Sequence, residues 1–387
     1  MTDLSKFAGI PSPCYVMYEE ALEANLQLLR LVEEESGVSI ICALKGFAFW
    51  HSFPLIRSYL SGATASSLNE ARLIAEEMQC EAHTYAPVYL EEEFESLLFY
   101  SSHLTFNSLN QWYKYKEKAL SINKKISFGL RVNPEYSEVT TDLYNPALPG
   151  SRLGILVENM PPHLPEHIEG LHFHVLCEND SYALENALRA FEERFAHLIK
   201  ECKWVNLGGG HHITREDYDV EHLIDILKQF KARYPNLEEV ILEPGEAVGW
   251  QTGVLISTVE DVIENRGTKI AMLNISFSCH LPDCLEMPYK PTVLGATEPI
   301  ETSKHVYRLG GSSCLAGDYI GMGDFAFNEP LEPGDLIIFD DMIHYTMVKT
   351  TYFNGVKHPA IGVVKADGEF ILLSEPGQYE DYKKKLS

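Results

Sequence analysis

The sequence predicts an α/β protein that combines a TIM (β/α)8 barrel with a second, antiparallel β domain. Between Val38 and Gly245 a short apolar strand, a turn and a helical stretch recur about eight times in about 210 residues, the usual size of such a barrel. After Gly249 apolar and polar residues alternate around Gly and Asp turns, as they do in antiparallel sheets. The chain has 387 residues, a length that favours two domains over one core.

Eight segments carry the strand signal of the barrel, because each is short, apolar and rich in β-branched or small residues. The stretches SLNEARLIAEEM and SYALENALRAFEERFAHLIKEC repeat apolar residues at intervals of three and four, which suits an outer ring of helices. An open doubly wound sheet is the alternative, but its phosphate loop follows the first strand, whereas the glycine cluster here follows the seventh. The predicted strands are SIICALK, GATASS, EAHTYAP, HLTFNS, KISFGLRVN, IEGLHFHV, WVNLGGG and VILEPG.

The domain boundaries follow from where these patterns begin and end. We predict the barrel over residues 21–249 and the second domain over 1–20 and 250–387. The strand-like PCYVMY near the N-terminus is the reason for assigning the first residues to the second domain. Later strands of that domain are predicted in VLISTVEDVIENRGTKIAMLNIS, HVYRLGG, DLIIFDDM and YTMVKTTYFNG.

Composition narrows the class of function. The net charge of -25 argues against a nucleic-acid partner and is compatible with cationic ligands. The first residues lack a basic segment leading into an apolar one, and no apolar run of about 20 residues occurs, so we expect an unexported, cytoplasmic protein with no membrane partner. The eight cysteines are scattered without a CxxC pair, which suggests neither a disulfide framework nor a thiolate zinc site.

Chemically useful residues follow the strands at the end where barrels carry out their chemistry. Lys45 ends the first strand, His174 the sixth, Gly208–Gly210 the seventh and Glu243 the eighth. A glycine turn that enters a helix offers backbone N–H groups to a phosphate. A lysine that can form an imine, a phosphate cradle and a carboxylate together indicate pyridoxal 5′-phosphate as the cofactor.

The chemistry of that cofactor predicts a role for each residue. Lys45 would attach to the aldehyde carbon, with its pKa lowered by partial desolvation. Glu243 would keep the pyridine nitrogen protonated, and His174 would lie against the ring face. The ordinary alternatives are a surface lysine, a simple tight turn, and an HFH pair that lies at the edge of the core or binds a metal. No third ligand completes a metal site, so no metal is predicted.

Several motifs then resemble those of a known family. Their order is that of the fold-type III pyridoxal-phosphate decarboxylases, the group of alanine racemase, ornithine decarboxylase and diaminopimelate decarboxylase. Within this group HFHVLCEN, EPGEA and PDCLEMPYKP are most similar to the branch that acts on carboxynorspermidine and carboxyspermidine. The resemblance implies an alanine-racemase-like barrel with a β domain, in a homodimer that shares its active sites. The motifs are ALKGF, GLHFHVLCEN, NLGGGHH, EPGEA, GSSCLAGDYIG and HYTMVKTTYFNGV.

The resemblance also implies site residues that composition does not reveal. Cys314 matches a cysteine that enters the neighbouring subunit's site and protonates the α-carbon after carbon dioxide leaves. Asp318 matches an acidic position beside it, and Tyr345 matches a tyrosine near the cofactor phosphate. The predicted cofactor-binding residues are Lys45, His174, Gly208, Gly209, Gly210, Glu243, Gly245 and Tyr345, and the predicted catalytic residues are Lys45, His174 and Cys314.

Three positions depart from the wider family pattern. Glu246 stands where relatives usually have an arginine that contacts the phosphate, so phosphate binding must depend more on N–H groups and hydroxyls. Cys177 replaces a common serine, and Leu315 replaces an acid that often follows the catalytic cysteine. The changes at Cys177 and Leu315 both occur in the carboxynorspermidine branch and support the resemblance to it.

Charge indicates the substrate. A distal carboxylate, as in diaminopimelate, would favour an arginine clamp, whereas Asp283 and Glu286 suit the ammonium groups of a polyamine tail. Asp318 and Cys177 are further candidates for substrate binding, and an ordinary solvated loop is the alternative for Asp283 and Glu286. We predict decarboxylation of carboxynorspermidine or carboxyspermidine to norspermidine or spermidine.

Other functions stay open at this level. A diaminopimelate decarboxylase or an ornithine or arginine decarboxylase would use the same cofactor and fold. A non-catalytic pyridoxal-phosphate-binding protein belongs to another class, but it would need Lys45 without a proton donor such as Cys314. An imine-forming aldolase on the same barrel is a further alternative.

Overall fold

The structure is a computed structural model that describes residues 5–122 and 124–387. Residues 1–4, which enter the predictions about a leader and about the second domain, lie outside the described residues. The chain divides into two compact units, each with its own sheet. One unit is Ala24–Val248, and the other joins the N-terminal residues up to Glu23 to Gly249–Ser387.

The first strand belongs to the same unit as the strands after Gly249, and the strands between them belong to the unit Ala24–Val248. In chain order the strands of the described residues are β1 Cys14–Tyr18, β2 Ser39–Ala43, β3 Gly62–Ala65, β4 Ala82–Tyr85, β5 Ser101–Phe106, β6 Ser127–Arg131, β7 Ile168–His172, β8 Trp204–Asn206, β9 Glu239–Leu242, β10 Gly253–Asn265, β11 Thr268–Leu273, β12 Ala296–Thr297, β13 His305–Gly310, β14 Phe325–Phe327, β15 Leu336–Asp340, β16 Ala360–Val364 and β17 Phe370–Ser374.

Several helices begin where a side chain accepts a hydrogen bond from a backbone N–H of the first turn. Ser67, Ser108, Asp180 and Asp219 accept such bonds at the starts of four barrel helices. In chain order the helices are α1 Glu19–Ser36, α2 Phe53–Tyr59, α3 Leu68–Leu73, α4 Phe94–Tyr100, α5 Leu109–Ser121, α6 Ser181–Ile199, α7 Val220–Arg233, α8 Glu246–Gly249, α9 Phe277–His280, α10 Pro282–Glu286, α11 Tyr345–Val348 and α12 Tyr379–Leu386.

Strands β2 to β9 form a closed parallel barrel, which confirms the predicted (β/α)8 fold. Each strand pairs in parallel with the next, and β9 pairs with β2, so no edge of this sheet is left unpaired. Most strand residues are buried, because side chains fill the inside and helices cover the outside. The carboxyl ends of all eight strands therefore meet on one face of the barrel.

A tryptophan occupies part of the barrel interior where two strands carry glycine. A Cβ atom on Gly129 or on Gly170 would overlap the indole ring of Trp204, so only glycine leaves room for it. The indole Nε1 donates to Ser127 Oγ at 2.7 Å, and Ser127 Oγ donates to Glu169 Oε2 at 2.6 Å. Large and small residues on β6, β7 and β8 thus complement one another, as the tight interior of an eight-stranded barrel requires.

The second unit is built on a nine-stranded sheet. Its order is β12-β14-β13-β11-β10-β1-β16-β17, and β15 also pairs with β10. Most pairs are antiparallel, but β1 pairs with β16 and β11 pairs with β13 in parallel, so the sheet is mixed. The N-terminal strand β1 lies between β10 and β16, in the middle of the sheet. One buried cluster of this unit contains Phe7, Cys14, Val16, Val254, Ile256, Ile338 and Ala360.

The prediction of a strand in YTMVKTTYFNG is wrong. Tyr345–Val348 forms α11, and Phe353–Gly355 forms a 3-10 turn in which Asn354 has φ +56. Asparagine tolerates this left-handed conformation, and its Oδ1 accepts a hydrogen bond from the Cys314 N–H at 2.8 Å. The alternation of β-branched and aromatic residues is too short here to specify a β-strand. Hydrogen bonds to neighbouring loops determine the conformation of this segment instead.

Three further features bear on the class of protein. None of the helices in the described parts of the chain combines the length and the apolar character needed to cross a bilayer. The eight cysteines are free thiols, and Cys314 is the exposed one among them. In residues 5–122 and 124–387, no group of three or more His, Cys, Asp or Glu side chains is arranged to hold a metal ion.

The packing of Trp204 against glycine gives a test of the barrel interior. We expect Gly170→Ala to lower the free energy of unfolding by about 1–3 kcal/mol, because the added methyl group must displace the indole. Thermal unfolding of the purified protein measures the change. Gly321→Ala is the matched control, since a Cβ there meets no atom within 4 Å and the residue does not have positive φ. Equal melting temperatures for the two variants would contradict this packing.

Candidate active site

The turn that carries Lys45 is fixed against the turn that follows β9. Strand β2 ends at Ala43, so Lys45 lies two residues beyond it. The Ala43 N–H donates to Pro244 O at 3.0 Å, and the Gly46 N–H donates to Ala43 O at 3.0 Å. A Cβ on Gly46 would lie 2.9 Å from Glu246 N, so glycine is needed for this approach. The two turns therefore hold Lys45 at the same end of the barrel as Glu243.

Lys45 and His174 lie next to each other on the catalytic face of the barrel. Lys45 Nζ is 3.4 Å from His174 Nε2. The lysine side chain is open to solvent, yet enough protein surrounds the amine that desolvation lowers its pKa. The nearby Arg131 guanidinium lowers that pKa further, whereas the carboxylate of Glu243 raises it. The net effect is a lowered pKa, which makes the unprotonated, nucleophilic form of Lys45 easier to reach.

A backbone hydrogen bond determines which ring nitrogen of His174 carries the proton. The Gly209 N–H donates to His174 Nδ1 at 2.8 Å, so Nδ1 must be an acceptor. Desolvation, with the positive charges of Lys45 and Arg131, holds the pKa of His174 well below its usual value. The ring is therefore neutral with its proton on Nε2, and Nε2–H faces an amine that can accept it only when Lys45 is unprotonated.

Glu243 is held as an anion by two side chains on neighbouring strands. Its Oε1 lies 3.1 Å from His172 Nε2, and its Oε2 accepts a hydrogen bond from Asn206 Nδ2 at 2.9 Å. Burial alone would raise the pKa of Glu243, but His172, Asn206 and Lys45 together lower it to about 2. Burial also lowers the pKa of His172, so the neutral imidazole donates its Nε2–H to the carboxylate. This arrangement gives the site a fixed negative charge at any pH above about 2.

Two N–H groups of the glycine turn after β8 donate to protein acceptors, whereas the sequence predicts that they bind a phosphate. The Gly208 N–H donates to Asn206 Oδ1 at 2.8 Å, and the Gly209 N–H donates to His174 Nδ1. These two N–H groups therefore already have acceptors. Gly208 and Gly210 have φ of +75 and +84, and a Cβ on any of the three glycines would overlap a backbone carbonyl oxygen. Glycine is thus required here by close backbone packing, apart from any phosphate.

Four polar residues of this cluster were given no role in the proposed cofactor site by the sequence analysis, which considered His172 only as part of the HFH pair. Arg131 donates from Nη2 to His174 O at 3.1 Å, and its guanidinium lies 4.7 Å from the centre of the Tyr85 ring. Tyr85, Arg131, His172 and Asn206 are each the last residue of a barrel strand. A search for polar residues at predicted strand ends would have found them, since barrel chemistry collects there.

The predicted Cys177 lies in the barrel unit, close to this cluster. It is half-buried, and its N–H donates to Asn179 Oδ1 at 2.9 Å. Its ionisation would raise the pKa of Lys45, so the two side chains interact electrostatically.

The remaining predicted residues belong to the other unit. Cys314 is exposed in a loop, as its glycine-rich context suggested. Asp318 is almost fully buried, and its carboxylate accepts hydrogen bonds from Ser276 Oγ, Ser278 N and Ser313 N at 2.9–3.1 Å. Both of its oxygens have internal donors, so this carboxylate organises the loop that contains Cys314.

Asp283 and Glu286 share one partner, Lys349. Lys349 Nζ lies 2.6 Å from Asp283 Oδ1 and 2.8 Å from Glu286 Oε2. The same ammonium lies 5.6 Å from the centre of the ring of Tyr345, which begins α11. The predicted acidic residues therefore form a cluster with a lysine that the sequence analysis did not consider.

Comparison with known proteins identifies the family. The family model described as "Pyridoxal-dependent decarboxylase, C-terminal sheet domain" matches residues 14–343. The chain belongs to the pyridoxal-dependent decarboxylases. This result confirms the family that the motifs indicated and the prediction that the chain is a decarboxylase.

Individual relatives place this decarboxylase more closely. It is 50% identical to a carboxyaminopropylagmatine decarboxylase from Synechocystis sp., over 98% of this chain and 97% of the relative. It is 43% identical to a carboxynorspermidine/carboxyspermidine decarboxylase from Campylobacter jejuni, over 97% and 98% of the two chains. A crystal structure of carboxynorspermidine decarboxylase complexed with norspermidine, from Campylobacter jejuni, matches with a TM-score of 0.88 and 42% identity, and covers 97% of this chain and 100% of that one.

The cofactor that the family implies fits the residues in the barrel of this decarboxylase. Covalent attachment of pyridoxal 5′-phosphate needs a lysine amine that can lose its proton, and a carboxylate beside the pyridine nitrogen keeps that nitrogen protonated. The pKa of Lys45 is lowered, which favours loss of its proton, and the pKa of Glu243 is about 2, which keeps it ionised. The ionisation of Lys45 and Glu243 thus suits this cofactor, although Glu246 supplies no positive charge for its phosphate.

The balance of charges on Lys45 can be tested directly. We expect Glu243→Gln to lower the pKa of Lys45 further, because the carboxylate that favours the ammonium is removed while desolvation and Arg131 stay. Competitive acetylation of the cofactor-free protein across a pH series, followed by peptide mass spectrometry, measures that pKa. The exposed Glu221→Gln is the control. An unchanged or raised pKa in Glu243→Gln would contradict the electrostatic account.

Proposed function

We propose that this decarboxylase removes carbon dioxide from a carboxylated polyamine, carboxynorspermidine or carboxyspermidine, and releases norspermidine or spermidine. The observation that carries the proposal is the amine of Lys45 beside a neutral His174 and an ionised Glu243, in a chain similar to the Campylobacter enzyme over nearly its whole length. Bound pyridoxal 5′-phosphate supplies an electron sink for the carbanion that forms when carbon dioxide leaves.

The barrel residues hold and orient the cofactor. Lys45 would anchor it covalently through its amine, and the Glu243 carboxylate would accept a hydrogen bond from the protonated pyridine nitrogen. His174, whose ring is oriented by the Gly209 N–H, would lie against the face of the cofactor ring. Gly210 and Gly245 would offer backbone N–H groups to the cofactor phosphate, and the family resemblance assigns the Tyr345 hydroxyl to the same phosphate, because Glu246 stands where relatives have an arginine. Gly208 and Gly209 would support this site because their backbone packs closely against carbonyl oxygens of neighbouring segments.

Cys314 completes the reaction. We propose that a second copy of the chain supplies this thiol in a homodimer and that it returns a proton to the α-carbon. Its exposure in a loop held by Asp318 and Asn354 suits a group that must reach another molecule. The acidic chain, with its free thiols, is proposed to act in the cytoplasm.

The acidic cluster favours a cationic substrate. Asp283, Glu286 and Lys349 together carry one net negative charge, which attracts an ammonium group and repels the distal carboxylate of diaminopimelate. Lys349 offers no free clamp for that carboxylate, because two acidic side chains already share its ammonium. The charge of the cluster therefore argues against the diaminopimelate alternative.

A second candidate substrate comes from the Synechocystis relative. That protein is a carboxyaminopropylagmatine decarboxylase and is 50% identical to this chain. Its substrate, an agmatine derivative, also has a cationic end, so the same acidic cluster would suit it. Initial rates of carbon dioxide release from carboxynorspermidine, carboxyspermidine, carboxyaminopropylagmatine, ornithine, arginine and diaminopimelate decide among these candidates. A single methylene is worth only about 1–3 kcal/mol, so we expect both carboxylated polyamines to react.

A non-catalytic pyridoxal-phosphate-binding protein is the alternative from another class. Absorbance near about 420 nm that disappears on borohydride treatment would establish the lysine-bound cofactor in either case. Release of carbon dioxide would then separate the enzyme from the carrier.

Lys45→Ala tests the attachment of the cofactor. We expect carbon dioxide release from the carboxylated polyamines to fall to background, because the covalent anchor and its amine are lost. Lys383→Ala, in the exposed last turn of α12, is the control and should keep the wild-type rate. A Lys45→Ala protein with the wild-type rate would exclude this mechanism.

Cys314→Ala tests the proton donor. We expect kcat to fall about 10²- to 10⁴-fold, as for loss of a general acid, while the absorbance of the bound cofactor persists. Cys80→Ala removes a half-buried thiol and should change neither quantity. Unchanged kcat in Cys314→Ala would assign the proton transfer to another group.

A further inference from the structure

The backbone around Cys314 is restrained by hydrogen bonds, although the side chain of Cys314 is exposed. The N–H groups of residues 312–314 donate in chain order to Ile275 O at 2.8 Å, Asp318 Oδ2 at 3.0 Å and Asn354 Oδ1 at 2.8 Å. Cys314 and Asn354 are 40 residues apart in the sequence. The exposed thiol therefore stands on a loop that distant parts of the same unit hold in place.

Asn354 provides its acceptor from an uncommon backbone conformation. Its φ is +56, in the left-handed region, where a residue with a side chain is less stable than glycine. The next residue, Gly355, has φ +70 and is a glycine, as this region favours. The chain thus keeps a side chain at a position where glycine would suit the backbone better. A residue held in such a conformation points to a role for its side chain.

The side chain of Asn354 serves the loop of Cys314 rather than its own turn. Within the part of the chain that the structure describes, its one hydrogen bond is the bond to the Cys314 N–H. The turn has other contacts, because the Gly355 N–H donates to Tyr352 O at 3.0 Å. A Cβ on Gly355 would lie 3.2 Å from the ring of Tyr382, so α12 packs closely against this turn.

We propose that Asn354 is a positioning residue for the reaction, which accepts the Cys314 N–H and so holds the thiol where it can return a proton to the α-carbon. This inference rests on the proposed function, which makes Cys314 the proton donor. Proton transfer requires the donor and acceptor atoms to lie within hydrogen-bond distance. A displacement of about 1 Å can lower a rate about 10²-fold, so an exposed loop needs an anchor for this task.

Asn354→Gly tests the proposal, because it removes the acceptor and suits the backbone. We expect kcat for carbon dioxide release from carboxynorspermidine or carboxyspermidine to fall about 5- to 50-fold, with little change in KM. The melting temperature should change by no more than about 3 °C, since glycine adopts this φ without strain. Asn354→Ala lacks the same acceptor and takes its place if Asn354→Gly does not fold.

Two matched variants serve as controls. Asn354→Asp keeps an acceptor and tolerates the left-handed region, so its kcat should lie within about threefold of wild type. Arg266→Gly makes the same backbone change at another position of the same unit, since Arg266 has φ +51 in the exposed turn between β10 and β11. Its kcat should equal that of wild type.

A measurement that depends on the thiol separates positioning from stability. In a Cys314→Ala background, Asn354→Gly should lower kcat by less than about twofold, because the group that Asn354 positions is already absent. Slower proton transfer should also increase the solvent deuterium isotope effect on kcat in the Asn354→Gly single variant. A merely structural role would change neither the coupling between the two residues nor the isotope effect.

Two results would overturn the inference. One is an Asn354→Gly protein with the wild-type kcat, measured beside a Cys314→Ala protein that is impaired. The other is an equal loss of kcat from Asn354→Gly with and without the thiol of Cys314. Failure of the proposed function looks different, since the wild-type enzyme would then release no carbon dioxide from any carboxylated polyamine.

Discussion

The ionised carboxylate of Glu243 is the interaction on which the site depends. It lies at the carboxyl end of the barrel, where burial favours its neutral form, and His172 and Asn206 provide the hydrogen bonds that reverse this preference. Its negative charge raises the pKa of Lys45 and so opposes the lowering that desolvation produces. Asn206 also accepts from the Gly208 N–H, which couples the carboxylate to the glycine turn.

Close backbone approach is the second constraint. Gly208, Gly209 and Gly210 pack where any side chain would overlap a carbonyl oxygen, and Gly46 and Gly245 make a similar contact between two other turns. The first contact brings the Gly209 N–H to His174, and the second fixes the turn of Lys45. Residues that are far apart in the chain therefore reach one face of the barrel with defined protonation states.

Much of this arrangement was predictable from the sequence, for physical reasons. Parallel strands that are buried on both faces appear in the sequence as short apolar segments. The polar residues that follow these segments lie at the carboxyl end of the barrel, so the sequence predicts that Lys45, His174 and Glu243 lie together. Hydrogen-bond partners were not predictable, because whether the Gly209 N–H meets a phosphate or His174 Nδ1 depends on tertiary packing. The turn at Tyr345–Val348 and the contacts of Lys349 likewise arise from neighbouring segments rather than from local pattern.

Localising the cofactor tests the central claim most directly. The purified protein is incubated with pyridoxal 5′-phosphate, reduced with borohydride, digested and mapped by mass spectrometry. The account predicts one modified lysine, Lys45, because its amine is poised for attachment in the site. Modification of surface lysines with Lys45 unlabelled would contradict it.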